Sequence, residues 1–247
     1  MSGTFQNHTL ARLRAGKGVA CVWLSLGSTA LAEITAEAAS AAIVFDGQHG
    51  LWERGSLHAA IAAAGPGTPL VRVGANSVAA IGEALDHGAQ GVIVPLVDTA
   101  AEAEAAVAAA HYPPRGVRSG GGLRPLANMA AYVDACTTEI LVAVMIETVS
   151  GLANAAAIAA TPGIDMVFIG PGDLALQLGP EADLEAAIQT IFAACRAADV
   201  PCGLFTTTAE AARDRLAQGF AFVVAEDDIR LARGGIARSL AIALEAR

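Results

Sequence analysis

VMIETVSGLANAAAIAATPGIDMVFIGPGDLALQLG, residues Val144–Gly179, is the stretch whose reading decides the fold. It includes the end of one short apolar run, Ile140–Ile146, and the whole of a second, Met166–Ile169. Both are short and β-branched enough to read as buried strands. Each is followed by a carboxylate at a turn: Glu147 after the first, and Asp173 in Gly170-Pro171-Gly172-Asp173 after the second. The alanine-rich segment Leu152–Ala160 between them is helical by propensity. A strand–helix–strand unit places the two strand ends side by side in a parallel sheet. Two hard oxygen donors at that edge suggest a Mg²⁺ or Mn²⁺ site.

The same alternation extends in both directions. Apolar runs at Val19–Leu26, Ala42–Phe45, Pro69–Val73, Gly91–Pro95, Pro201–Leu204 and Phe222–Ala225 complete eight strands. Helical stretches at Thr29–Ala39, Leu57–Ala64, Val78–His87, Thr99–Ala110, Met129–Ala135, Leu184–Ala198 and Thr208–Gln218 separate them, and a last helix spans about Ile229–Leu244. Eight β-α units with continuous apolar strands predict an α/β fold, a (β/α)₈ TIM barrel forming one domain over residues 1–247. An open doubly wound sheet is the runner-up, but the chain has no G-x-G-x-x-G fingerprint. One connection stands out. His111–Asn128 is long, rich in Gly and Pro, and carries Arg115, Arg118 and Arg124.

Composition narrows the function. Hydrophobic residues make up 54% and charged residues 16% of the 247 residues, enough for a large core. No apolar run approaches the roughly 18 residues of a membrane span. Residues 1–17 are polar, lack a signal-peptide pattern and read as a frayed terminus that includes His8. The four cysteines are scattered, as expected for reduced thiols in a cytoplasmic protein. A net charge of −9 argues against nucleic acid or an anionic membrane as partner and leaves small molecules.

In a (β/α)₈ barrel, chemistry sits at the C-terminal ends of the strands. There the sequence places Asp46-Gly47-Gln48-His49, Arg72, Glu147 and Asp173. Taken singly, Asp173 reads as a helix cap and Glu147 as a loop acid; as a pair on adjacent strand ends they read as metal ligands. His49 is either a hydrogen-bonded loop histidine or a general base, since histidine is a residue type suited to proton transfer and this one stands on the rim. Arg72 reads as a salt-bridge partner of Asp46, as a donor to a developing oxyanion, or as both. Gly170–Gly172 is a strand-to-helix turn whose backbone N–H groups at Gly172 and Asp173 can bind a substrate carboxylate. The three loop arginines read equally as a solvated basic loop, an anion clamp or a subunit contact. Leu51 and Trp52 wall the site or anchor an interface. No lysine ends strands 2 to 6, which argues against Schiff-base chemistry.

D-G-Q-H (Asp46–His49), L-V-R-V (Leu70–Val73), L-D-H-G-A-Q-G-V-I-V-P (Leu85–Pro95), Y-P-P-R-G-V-R (Tyr112–Arg118), I-E-T (Ile146–Thr148) and F-I-G-P-G-D-L (Phe168–Leu174) occur in an order and spacing that resembles the HpcH/HpaI family. The resemblance implies a metal-dependent pyruvate aldolase acting on 4-hydroxy-2-oxo acids, with Mg²⁺ or Mn²⁺, Co²⁺ being an alternative, held by Glu147 and Asp173. It implies a 2-oxo acid and an aldehyde as the molecules handled, with Gly170, Pro171, Gly172, Asp173 and Arg72 at the substrate. It makes His49 the catalytic base and Asp86 its orienting partner; Asp86 otherwise reads as a helix-surface acid. It also implies a hexamer in which the last helix packs on a neighbouring subunit. Many relatives carry Gln where this chain has Met145, and Gly where it has Ser119. An acyl-CoA C–C lyase or 2-oxo acid decarboxylase on the same fold, and a non-catalytic 2-oxo acid binding protein, are the alternatives.

Overall fold

The structure, a computed structural model, describes residues 6–38 and 42–244. Eight parallel strands close into a barrel in sequence order. They are β1 (Val19–Leu24), β2 (Ala42–Asp46), β3 (Thr68–Arg72), β4 (Gly91–Val94), β5 (Leu141–Ile146), β6 (Met166–Ile169), β7 (Cys202–Leu204) and β8 (Phe222–Asp227). The helices outside them are α2 (Thr29–Glu37), α3 (Arg54–Ala63), α4 (Val78–Asp86), α5 (Ala100–Ala110), α7 (Met129–Cys136), α8 (Val149–Ala153), α9 (Ala155–Ala159), α10 (Pro171–Leu178), α11 (Leu184–Ala197), α12 (Ala209–Gln218) and α13 (Asp228–Leu244). The expected barrel is therefore the observed one, with strand ends moved by one or two residues. Ala39, the expected end of the first strand-linking helix, lies outside the described residues.

Strand alternation sorts the core into two parts. Val44, Leu70, Ile93, Ala143, Met145, Phe168, Phe222 and Val224 point into the barrel and pack with Cys21 and Trp23. Their neighbours Ile43, Phe45, Val71, Val92, Val142, Val144, Val167 and Val223 point outward under the helices. Both sides are apolar, so the strands read as unbroken hydrophobic runs. The polar inward positions come at the strand ends. Asp46 pairs in register with Arg72 across β2 and β3. Ile146 pairs with Ile169 across β5 and β6, which brings the next residues, Glu147 and Gly170, level with each other.

Two expectations need correction. His8 does not lie in a frayed end. It opens α1 (His8–Arg14), whose Leu10 and Leu13 are buried against the barrel interior and close its N-terminal end. Asn7 caps this helix: its Oδ1 accepts the Leu10 N–H at 2.8 Å, and its Nδ2 donates to the carbonyls of Gln90 (2.7 Å) and Glu139 (3.1 Å). The His111–Asn128 connection is not an open loop either. It contains α6 (Leu123–Ala127) and is pinned by Arg118. The Arg118 side chain is 1% exposed, donates to Asp86 at 2.8 Å and to the Tyr132 hydroxyl at 3.2 Å, and lies over the rings of Tyr112 and Tyr132.

Because α1 caps the end of the barrel away from the strand termini that carry polar residues, its loss is expected to cost stability and leave chemistry alone. Asn7→Ala removes three hydrogen bonds and leaves buried partners unpaired, so urea unfolding should show a loss of about 2–4 kcal/mol. The same variant should keep the KM of the wild-type protein.

Candidate active site

The mouth of the barrel is built around Asp46. Its Oδ1 accepts from Arg72 Nε at 2.9 Å and from the backbone N–H groups of Gln48 and His49 at 3.1 Å each. Its Oδ2 accepts from Arg72 Nη2, from the Trp23 indole at 3.3 Å and from the Ser25 hydroxyl at 3.4 Å. The Arg72 guanidinium also lies 5.0 Å over the Trp23 ring. Burial alone would push the Asp46 carboxyl up; hydrogen bonds and charge from Arg72, with the His49 amide and the Trp23 indole, hold it below the usual carboxylate range. Both readings of Arg72 are compatible with this geometry. The fork to Asp46 uses Nε and Nη2, and Nη1 remains for a ligand. His49 sits at the exposed tip of the same turn, one residue beyond the Gln48 amide.

Glu147 and Asp173 come together as the strand register requires. Glu147 is 1% exposed, and its Oε1 accepts the Leu96 N–H at 2.8 Å. Burial pushes its carboxyl up; the Leu96 amide opposes this, the nearby Asp173 carboxylate adds to it, Arg72 opposes it and Asp46 adds a little more. Asp173 stands in the first turn of α10, which starts with Pro171 after Gly170. A carboxylate there is favoured by the helix dipole. Two crowded carboxylates, one of them desolvated, form a donor set that suits a hard divalent cation. Among the described residues no group of three or more His, Cys, Asp or Glu gathers into a metal cluster. A Mg²⁺-like ion needs no more, because it keeps several waters.

Two glycines differ in kind. A Cβ on Gly170 would lie 2.5 Å from Glu147 Oε2 and 3.0 Å from Met145 Cε, so the protein itself excludes a side chain there. A Cβ on Gly172 would meet nothing within 4 Å. The space at Gly172 is open. Met145 is buried inside the barrel directly below this pair, so the floor of the site is a thioether.

Several expected participants lie elsewhere. Asp86 ends α4 and bonds to Arg118; within one chain it is not brought to His49. The loop arginines are not at the mouth. Arg118 is buried, Arg115 donates to the Thr137 carbonyl at 2.6 Å, and Arg124 donates to the His58 carbonyl at 3.1 Å. Their hydrogen bonds run to Asp86, Tyr132 and the carbonyls of Thr137 and His58, and none of them runs to Asp46, Glu147 or Asp173. Trp52 donates its indole N–H to the Leu24 carbonyl and packs edge-on against Phe45, which makes it a structural wall. Leu51 is exposed beside it.

Three contributors escaped the sequence reading. Leu96 adopts φ 55°, a strained conformation for a leucine, and this aims its N–H at Glu147. Asp228 is buried and accepts from the N–H groups of Ser25 and Leu26 at 2.9 Å each, tying the end of β1 to the start of α13. Asp98 accepts from the hydroxyl of Thr148, the residue after Glu147. Nothing local marks a leucine for a positive φ. Asp228 was visible only as one of three acids after the last strand.

Comparison with known proteins identifies the family. Residues 20–232 match the family model described as HpcH/HpaI aldolase/citrate lyase. A hydroxypyruvate/pyruvate aldolase of Pseudomonas aeruginosa is 36% identical, over 91% of this chain and 88% of its own. A 5-keto-4-deoxy-D-glucarate aldolase of Salmonella paratyphi A is 34% identical, over 91% and 92%. The crystal structure of an HpcH/HpaI aldolase/citrate lyase family protein from Burkholderia cenocepacia superposes with a TM-score of 0.90 at 30% identity, covering 96% of this chain and 99% of that one. With the barrel, the strand-end carboxylates and the relatives in agreement across nearly its whole length, the chain belongs to the HpcH/HpaI aldolase/citrate lyase family.

Proposed function

We propose that this protein is a carbon–carbon lyase, a divalent-metal-dependent aldolase that cleaves or forms 4-hydroxy-2-oxo acids with pyruvate as the carbon nucleophile. The observation that carries this reading is the convergence of buried Glu147, Asp173 and the Arg72–Asp46 pair on one barrel mouth, beside the His49 turn. Glu147 and Asp173 would hold Mg²⁺ or Mn²⁺, with Co²⁺ also compatible. Bound there, the cation supplies Lewis-acid stabilisation of the negative charge that builds on the 2-oxo oxygen.

The chain's own groups supply the rest. The N–H groups of Gly172 and Asp173 at the start of α10 receive the substrate carboxylate, with the Gly170–Pro171 turn shaping the approach. Arg72 Nη1 donates to the oxygen that becomes the enolate oxygen, and Asp46 fixes the guanidinium plane before substrate arrives. His49 takes the proton of the C4 hydroxyl. The electron pair of the C3–C4 bond passes to the enolate as the aldehyde forms, and protonation at C3 then gives pyruvate. The acyl-CoA alternative gains no support from the loop arginines, because Arg118 is enclosed with Asp86 and Tyr132, and the hydrogen bonds of Arg115 and Arg124 run to the carbonyls of Thr137 and His58 rather than to the strand-end groups.

The reading extends to a cytoplasmic homo-oligomer, a hexamer by resemblance. It is supported by four buried free cysteines and by Ile236, Leu240, Ile242 and Leu244, which α13 leaves exposed. Among the described residues no helix is long and apolar enough to cross a membrane.

Pyruvate release from a panel of 4-hydroxy-2-oxo acids should require Mg²⁺ or Mn²⁺ and stop with EDTA. Glu147→Ala should lower kcat/KM by at least about 10³-fold, the scale of removing a principal charge stabiliser. Activity that survives exhaustive chelation, or an unimpaired Glu147→Ala, would sink the mechanism. The two glycines give a sharper contrast. Gly170→Ala should weaken Mn²⁺ binding, read by calorimetry, by about 10–100-fold because it displaces Glu147. Gly172→Ala should leave Mn²⁺ affinity unchanged and raise the KM for the 2-oxo acid.

A further inference from the structure

We infer that the aldehyde half of the substrate is uncharged, so that the enzyme selects 4-hydroxy-2-oxo acids whose far end carries hydroxyl or alkyl groups over those ending in a carboxylate, phosphate or sulfonate. This deepens the aldolase reading and rests on it. The starting point is which charges the mouth can offer. The connections leaving the first seven strands are residues 25–28, 47–53, 73–77, 95–99, 147–148, 170 and 205–208, and none of them holds a lysine or an arginine. β8 runs directly into α13. The cations within reach are therefore Arg72 itself and those in the first turns of the helices that follow.

Each of these is already paired. Arg72 is forked onto Asp46. Arg54, at the start of α3, is bridged to Glu83. Arg230, in the first turn of α13, donates to Glu226 Oε1 through Nε at 3.0 Å and Nη2 at 2.8 Å, and stands 3.6 Å from Asp227 Oδ2. Glu226 and Asp227 together outweigh that one guanidinium. Asp227 stands at the site: it pairs in register with Trp23, whose indole bonds to Asp46, while Glu226 pairs with Val22 one position earlier, and the next residue, Asp228, holds the amide of Ser25, another Asp46 partner. Apolar side chains also project there, among uncharged polar ones such as Gln48, Asn76 and Thr207. Leu51 and Leu96 are exposed after β2 and β4, and Phe205 after β7 lies edge-on to Trp23 at 5.3 Å.

A 4-hydroxy-2-oxo acid already brings one carboxylate, which the α10 N-terminus and the cation would receive. A second anion at the far end would enter a rim whose guanidinium groups are each already in a salt bridge with a carboxylate. Like charges at short range, with no compensating hydrogen bonds, disfavour binding and transition state alike. A neutral tail meets leucine, phenylalanine and carboxylate acceptors for its hydroxyls.

The test compares two 3-deoxy-2-oxo acids of equal length and configuration, one ending in CH₂OH and the other in a carboxylate, by pyruvate release. The hydroxyl-ended compound should have the higher kcat/KM by about 30-fold, the scale of one uncompensated like charge. In the Glu226→Gln/Asp227→Asn double variant, which frees Arg230, the gap should shrink to a few-fold. Equal or faster turnover of the acid-ended compound by the unaltered enzyme overturns the inference, and so does a gap that the double variant leaves unchanged. Deuterium exchange into the pyruvate methyl group, run with no aldehyde present, separates this from the underlying reading. Exchange together with a preference for the acid-ended compound leaves an aldolase with the opposite selectivity. No exchange and no cleavage of either compound takes down both.

Discussion

A buried carboxylate must be given donors, and the mouth of this barrel is the solution to that requirement at Asp46. Six groups from β1, the β2 turn and β3 converge on its two oxygens. Desolvating a charge without partners is costly, so the cluster forms as a whole or not at all, and removing Arg72 alone would leave an uncompensated anion, a loss of about 3–5 kcal/mol by analogy with other buried pairs. Each donor is placed by the demand. Arg72 is forked through Nε and Nη2, His49 is lifted onto the rim, and Trp23 becomes a flat floor under the guanidinium. Catalytic geometry and local stability are here one set of hydrogen bonds.

The second centre works by the opposite rule. Glu147 is buried with a single amide donor, at Leu96, and with another carboxylate nearby. Asp46 is satisfied by the protein; Glu147 is left short. The strain of the positive φ at Leu96 and the bare Cα of Gly170 hold the under-satisfied group in place. That contrast supports the proposed division between a positioning carboxylate, Asp46, and a ligating one, Glu147, above the thioether of Met145.

Much of this was legible in the residues. Eight apolar runs with helical spacers point to a parallel sheet covered on both faces, and eight such units without a dinucleotide fingerprint favour its closure into a barrel. The strand-end position of Asp46, Arg72, Glu147 and Asp173 follows from the same pattern. What was not legible depends on contacts across many residues. The sealing role of α1 rests on Asn7 meeting Gln90 and Glu139, and seven polar and apolar letters at a terminus do not encode that. Arg118 read as a solvated loop charge because nothing local shows that Tyr112, Tyr132 and Asp86 enclose it. Asp86 read as a partner of His49 through resemblance to relatives, and within one chain the end of α4 does not bring it there.

The link from Asp228 to Ser25 and Leu26 spans more than two hundred residues. It joins nearly the first element of the barrel to the last. As the chain emerges from a ribosome, β2 and β3 can pair early, but the hydroxyl that Ser25 lends to Asp46 has no fixed place until β8 has been made and has docked on β1. Contacts this distant in sequence form late and slowly. The mouth is therefore the last part of the barrel to be completed during synthesis, and a nascent chain stalled before β8 would hold nearly all of the functional side chains and still lack a finished site.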